Sequence, residues 1–239
     1  MPCSTNETDS TSFPEAIIGM KTSRSAVLSP KLIDQLLDIS REYSETEGGC
    51  HGYDHSERVH TLALHIGRLM NARLDILSAA ALLHDIGRQY ETKSQGKICH
   101  ALKGAEMAKA ILTELKFPED IQQEIIHCIE SHRYRNNNIP QSLEAKILFD
   151  ADKLDSIGAI GIGRAFLFAG QVGARLHNQE VDIEKTSSYT REDTAYREFL
   201  VKLSKVKDKM LTPEGKRLAL ERHEFMEIYF KRLEKEING

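Results

Sequence analysis

Ile76-Leu77-Ser78-Ala79-Ala80-Ala81-Leu82-Leu83-His84-Asp85-Ile86-Gly87 is an apolar run that closes on a histidine and an aspartate. Ile76, Leu77, Ala80, Ala81 and His84 recur at three- and four-residue intervals, so the spacing predicts a helix with His84 on its buried face and Gly87 as its stop. A carboxylate at the buried end of a helix needs a partner charge. Arg88, one turn on, would supply one as a plain ion pair. A divalent metal would supply another. Adjacent helical residues point about 100° apart, yet an ion at the helix end can take an imidazole nitrogen from one and a carboxylate oxygen from the other. Mixed nitrogen and oxygen donors suit Mn, Fe, Ni or Zn. Such an ion acidifies water near neutral pH, which predicts a metal-dependent hydrolase.

Helical periodicity extends outward from this stretch in both directions. Val59, Leu62, Ile66 and Leu69 form one apolar stripe, and Ala105, Ala108, Ile111, Leu112 and Leu115 another, ended by Phe117-Pro118. Pro118-Glu119-Asp120 reads as a helix start. Ile121, Ile125, Cys128, Ile129 and His132 follow, then Leu143, Ile147, Leu148, Ala151 and Leu154. Thr212-Pro213 reads as a cap and first-turn proline ahead of Leu218, Leu220, Phe225 and Ile228. Strand alternation is nearly absent, so the expected fold is all-α. Residues 1–28 are polar and aperiodic and are expected to form a flexible tail. Residues 29–173 carry nearly all the histidines and form the expected core. Residues 174–239 begin as a polar loop through His177-Asn178, Lys185-Thr186 and Ser187-Ser188 and end in helices.

The 239 residues suffice for a substantial core, and 40% hydrophobic with 28% charged residues is a soluble profile. Mean hydropathy is −0.41. A net charge of −4 gives no general argument for nucleic-acid binding. No apolar stretch is long enough for a membrane span. Residues Met1–Glu15 lack the pattern of a secretory signal. Cys3, Cys50, Cys99 and Cys128 form no CxxC pair and read as reduced thiols, which suits a cytoplasmic protein. Cys50-His51 and Cys99-His100 lack the usual spacing of a thiolate zinc site.

A lone histidine on an apolar helix face is ordinarily a satisfied core residue. His60, His65 and His127 are read so, whereas His84 has Asp85 beside it. In His51-Gly52-Tyr53-Asp54-His55, Gly52 makes a regular helix through His51 doubtful. Asp54 reads as the cap of a helix starting near Ser56, leaving His55 at its mouth with Arg58 one turn below. A helix N-terminus disfavours an imidazolium, so His55 is expected to be neutral. Asp150 and Asp152 lie about 200° apart on a helix, so only one can face an ion.

Three elements together resemble the HD-domain phosphohydrolase superfamily: His55-x-x-Arg58-Val59, Leu82-Leu83-His84-Asp85-Ile86-Gly87 and Asp150-Ala151-Asp152-Lys153-Leu154-Asp155. The resemblance covers about residues 30–175. It is closer to bacterial and archaeal HD hydrolases that also carry H-x-x-x-G-A, here His100–Ala105, and S/N-H-R, here Ser131–Arg133. Those proteins further share the run read here as Asp150–Ile162, and similarity continues into Arg191-Glu192-Asp193-Thr194-Ala195. The resemblance implies a helical bundle around one or two divalent ions (Mn, Ni, Fe, Co, Zn or Mg). The implied ligands are His55, His84, Asp85 and, by the family pattern, Asp152. Asp150 is then left to cap or pair on another face. Some relatives act as nucleoside triphosphate pyrophosphohydrolases, which makes a small phosphorylated molecule, first a nucleotide, the expected partner, with neither membrane nor nucleic acid.

In the two-metal branch of this superfamily, histidines placed like His100 and His132 hold a second ion. In one-metal members, similar groups bind phosphate or protonate the leaving oxygen. The expectation here is one ion, with both histidines beside the substrate. Asp85 would ligate the ion and orient the nucleophile, while His100 or His132 would serve as acid. Arg58, Arg88, Lys103 and Arg133 are candidates to offset phosphate charge, Arg88 and Lys103 foremost, though each also reads as an ion-paired surface residue. Asp155 is grouped with them, supporting a ligand or positioning a basic group. Arg88-Gln89 replaces the acidic pair of guanosine tetraphosphate hydrolases, and the G-Y-P signature of the cyclic dinucleotide branch is missing near Tyr134. Two alternatives share the scaffold: a dimetal oxygenase completed by His100 and His132, and a non-catalytic sensor.

Overall fold

The computed structural model describes residues 28–44, 52–134, 138–178 and 182–239. Cys3, Cys50, His51 and nearly all of the expected tail lie outside them. Among the described residues there are ten α-helices and no strand: α1 Pro30–Ser44, α2 Tyr53–Leu69, α3 Leu74–Leu83, α4 Arg88–Lys93, α5 His100–Glu114, α6 Glu119–Ser131, α7 Leu143–Leu154, α8 Gly158–Gln171, α9 Ala195–Val201 and α10 Pro213–Asn238. None is long and apolar enough to cross a membrane.

The helix α3 is the axis of the bundle, packed against α1, α2, α6 and α7. Every residue from Asp75 to Leu83 is buried. The stripe ending at His84 is therefore not a single face. Ser78, Ala79, Leu82 and Leu83 fill the other side, and a helix apolar all round belongs at the centre of a bundle. Leu69, expected on the α2 stripe, is the last residue of the helix and is exposed.

The helix stop also works differently from the sequence reading. Gly87 has φ −84°, an ordinary right-handed value, and precedes α4. Its lack of a side chain matters for space: a Cβ there would lie 2.3 Å from the His100 carbonyl oxygen and 2.5 Å from the Gly104 nitrogen. Gly87 thus lets the His84–Gly87 turn lie directly against the first turn of α5.

Thr212 caps α10 as expected, its Oγ1 accepting from Gly215 N, with Pro213 in the first turn. Of Leu218, Leu220, Phe225 and Ile228, which follow this cap in sequence, Leu218 alone packs partly against the core. Leu220, Phe225 and Ile228 are exposed, and Ala219, His223, Met226 and Phe230 are buried. The helix carries apolar residues on more than one side, and packing on α7 and α8 selects the face with the small Ala219 and Gly215. Asp150 anchors this junction. Fully buried, it accepts from Leu211 N and Thr212 N, both at 2.8 Å, and from Thr212 Oγ1 at 2.6 Å. Asp150→Ala would leave buried donors unpaired and is expected to lower unfolding free energy by about 2–4 kcal/mol in urea titration, with bound metal retained. An unchanged urea midpoint would refute that anchoring role.

Candidate metal centre

Four histidines meet at the core of the bundle, and two local devices place them. His84 and His132 follow the last residues of α3 and α6 as C-caps. Helix ends leave carbonyls without partners. Each ring satisfies one: His84 Nδ1 donates to Ala81 O at 2.8 Å and His132 Nδ1 to Ile129 O at 2.6 Å. His55 and His100 instead lie in the first turns of α2 and α5. Their Nδ1 atoms face carboxylates, Asp155 Oδ2 at 2.7 Å for His55 and Glu91 for His100. All four rings therefore turn Nε2 inward, the orientation metal-binding imidazoles take when an outer acceptor fixes the other nitrogen.

The inward nitrogens form two facing pairs, His55 with His84 at 3.4 Å and His100 with His132 at 3.2 Å. Asp85 stands between the pairs. Its Oδ2 lies 3.7 Å from His55 Nε2 and 3.8 Å from His84 Nε2, while Oδ1 lies 3.1 Å from His100 Nε2 and 3.7 Å from His132 Nε2. Asp152, in the last turn of α7, brings Oδ1 to 3.4 Å from His55 Nε2. His55, His84 and Asp152 thus form one donor group, and Asp85, His100 and His132 a second, each compact enough for one divalent ion. Close approach of imidazole nitrogens and carboxylates, each with an outer partner, fits a cation with nitrogen and oxygen ligands.

Electrostatics agrees with this fit. Burial would raise the Asp85 carboxyl, but Arg88, with Nη2 at 2.7 Å, and the adjacent imidazoles hold it well below the usual range. Burial likewise opposes ionisation of Asp152, but Lys153 at 2.7 Å and His55 keep it low. Burial pushes His84 down and His132 well down, so both present a lone pair. His55 departs from the sequence expectation of a neutral ring. Burial and the helix start both disfavour the cation, yet hydrogen bonds to Asp152 and Asp155 and the charge of Asp85 raise it to about 9. A metal held by His55 Nε2 would take the place of that proton.

The candidate residues separate clearly in space. Arg88, His100, His132, Arg133 and Asp152 line a cavity of about 1040 Å³, and Asp85 lies behind Arg88. Arg133 pairs with Glu91 at 2.5 Å. Three expected substrate-side residues lie outside that wall. Asp155 is 3% exposed and receives His55, Arg58 Nε at 2.7 Å and Arg164 Nη1 at 2.5 Å, so it braces the His55 ring from behind. Arg58 is held between Asp155 and Asp54. Asp54 is inside α2, whose N-cap is Gly52, so it pairs with Arg58 and does not cap. Lys103 turns outward to Glu106 and the Tyr90 ring. His60 bonds Ser78 and His127 accepts from Gln141 N, in keeping with structural roles.

Sequence reasoning missed Glu91, Lys153 and Arg164. Glu91 is one turn beyond Arg88, a spacing that put it within reach of the site. Lys153 adjoins Asp152, and Arg164 falls two residues after the Asp150–Ile162 motif, so neither had a signal separating it from a surface cation.

Comparison with known proteins agrees with this geometry. Residues 52–157 match the HD domain model. YpgQ of Bacillus subtilis is 35% identical over 197 residues, which span 81% of this chain and 87% of that protein. The crystal structure of Bacillus subtilis YpgQ in complex with ADP superposes with TM-score 0.68 at 33% identity, covering 87% of this chain and 96% of the other. An HD-superfamily hydrolase from Bacillus thuringiensis gives TM-score 0.70 at 27% identity, covering 87% and 98%. The chain belongs to the HD-domain phosphohydrolase superfamily.

Proposed function

We propose that the protein hydrolyses a phosphate anhydride or ester of a nucleotide, with a divalent ion held by His55, His84, Asp85 and Asp152. The observation that carries this reading is the convergence of four Nε2 atoms and two carboxylates at one end of a large cavity. The ion, when bound, would supply Lewis acidity and an acidified water. Arg88, Arg133 and Lys153 border the same cavity and would offset charge on the phosphates. His132, neutral by burial, can hydrogen-bond or take a proton at Nε2. His100, braced by Glu91, would deliver a proton to the departing oxygen.

The ADP complex of the similar YpgQ supports a nucleotide, and the cavity is at the upper end of the size range of small-molecule sites. Within that class, cleavage releasing pyrophosphate from a nucleoside triphosphate is the reading to test first. The Asp85 Oδ1, His100 and His132 group favours one further arrangement, a second ion in place of direct histidine–substrate contact. Incubation of nucleoside mono-, di- and triphosphates with Mn, Ni, Co or Mg, reading phosphate and pyrophosphate separately, tests the proposal. Metal-dependent release of either product is expected. Uptake of oxygen, with neither product formed, would favour the oxygenase alternative instead.

A further inference from the structure

Ser188, Tyr189 and Asp193, from the polar stretch 182–194 ahead of α9, line the cavity, and hydrogen bonds hold this stretch in place. Arg197, at the start of α9 and buried, donates Nη1 to Asp193 Oδ1 at 2.7 Å, Nε to Thr186 Oγ1 at 2.5 Å and Nη2 to Thr186 O at 3.2 Å. Thr194 caps α9 and donates to Asn178 Oδ1 at 2.8 Å. The second oxygen of Asp193, itself 2% exposed, accepts from Tyr189 N at 2.7 Å.

Tyr189 is the product of this bracing. Its φ is +61°, a left-handed value that costs an aromatic residue energy and persists only where surroundings enforce it. Its side chain is not used for the core: the residue is 77% exposed, packing edge-on to Phe168 at 5.5 Å between centroids. Both rings line the cavity that contains His100, His132 and Asp152. An exposed aromatic ring, fixed in a strained backbone by a buried ion pair, offers a flat surface for another planar group.

We propose that Tyr189, backed by Phe168, is the stacking subsite for the base of the nucleotide, and that the Asp193–Arg197 pair positions it. This rests on the nucleotide reading above and adds the residue that distinguishes a nucleotide from a bare polyphosphate. Tyr134 also borders the cavity, but it adjoins Arg133 and packs on Phe149, beside the metal ligands, where phosphate would lie.

Binding of adenosine 5′-(α,β-methylene)diphosphate and of methylenediphosphonate to the manganese-loaded protein tests this without requiring turnover. Tyr189→Ala is expected to weaken the nucleotide analogue roughly tenfold to a hundredfold, the range of a base–aromatic stack, and to leave methylenediphosphonate unchanged. Tyr189→Phe is expected to restore wild-type affinity. Equal effects on both ligands, no effect on either, or loss of ring preference in Tyr134→Ala but not Tyr189→Ala would overturn the subsite. Hydrolysis of nucleotides with an unchanged Tyr189→Ala preference removes the subsite alone. A Tyr189-dependent preference in a protein that cleaves no nucleotide keeps the subsite and removes the hydrolase reading.

Discussion

His84→Ala and Asp85→Ala are expected to lose bound metal and all measurable phosphohydrolase activity while keeping their helical circular dichroism. Removing an outer partner of a metal ligand costs roughly 10–100-fold, and removal of a ligand itself should exceed that. Asp85 carries the larger burden, since its two oxygens face both histidine pairs. Its loss also leaves Arg88, most of which is buried, without its carboxylate. His84 supplies its Nε2 from a fully buried ring, and alanine offers no donor atom in its place. The fold should survive because both residues lie past the last turn of α3, whose own packing is untouched. Full metal occupancy in either variant, by elemental analysis, would reject this ligand assignment. Asp152→Asn belongs to the same class. Asp150→Asn does not, because Asp150 faces α10 and Thr212.

His100→Ala and His132→Ala are expected to reduce turnover by roughly 10²- to 10⁴-fold, the range of general acid–base contributions. Metal content distinguishes the two roles open to them. If both serve the substrate, each variant keeps the wild-type metal count. If they hold a second ion with Asp85 Oδ1, wild type carries two ions per chain and each variant loses one. Turnover within threefold of wild type in both variants would exclude either role.

The centre of the fold could be read from residues 76–87 because α3 is apolar on every side and ends on two polar residues. That combination has few structural explanations. The Asp150–Asp155 motif then pointed, through resemblance, to Asp152, whose carboxylate lies with His55 and His84. Outer partners were harder to see. Asp155 meets His55 a hundred residues away, and nothing in local spacing says that its oxygens face backwards, away from substrate. Lys103 read as a better phosphate cation than Arg58, yet Asp155 draws Arg58 behind His55 and Glu106 draws Lys103 outward. The buried face of α10 was not legible because its apolar residues occupy more than one side, leaving tertiary contact to choose. Tyr189 had no signal at all, since the left-handed turn that exposes it is held by Asp193, just ahead of α9, and by Arg197 within it.

The central claim is that a divalent ion at the His55, His84, Asp85 and Asp152 centre drives nucleotide hydrolysis. Its most direct test is a manganese titration of chelator-stripped protein in the presence of a nucleoside triphosphate. Product release is expected to be absent without metal and to rise to saturation as manganese fills the centre, with no rise in His84→Ala. Release that is indifferent to chelation and to added manganese, or equal in His84→Ala and wild type, would contradict it.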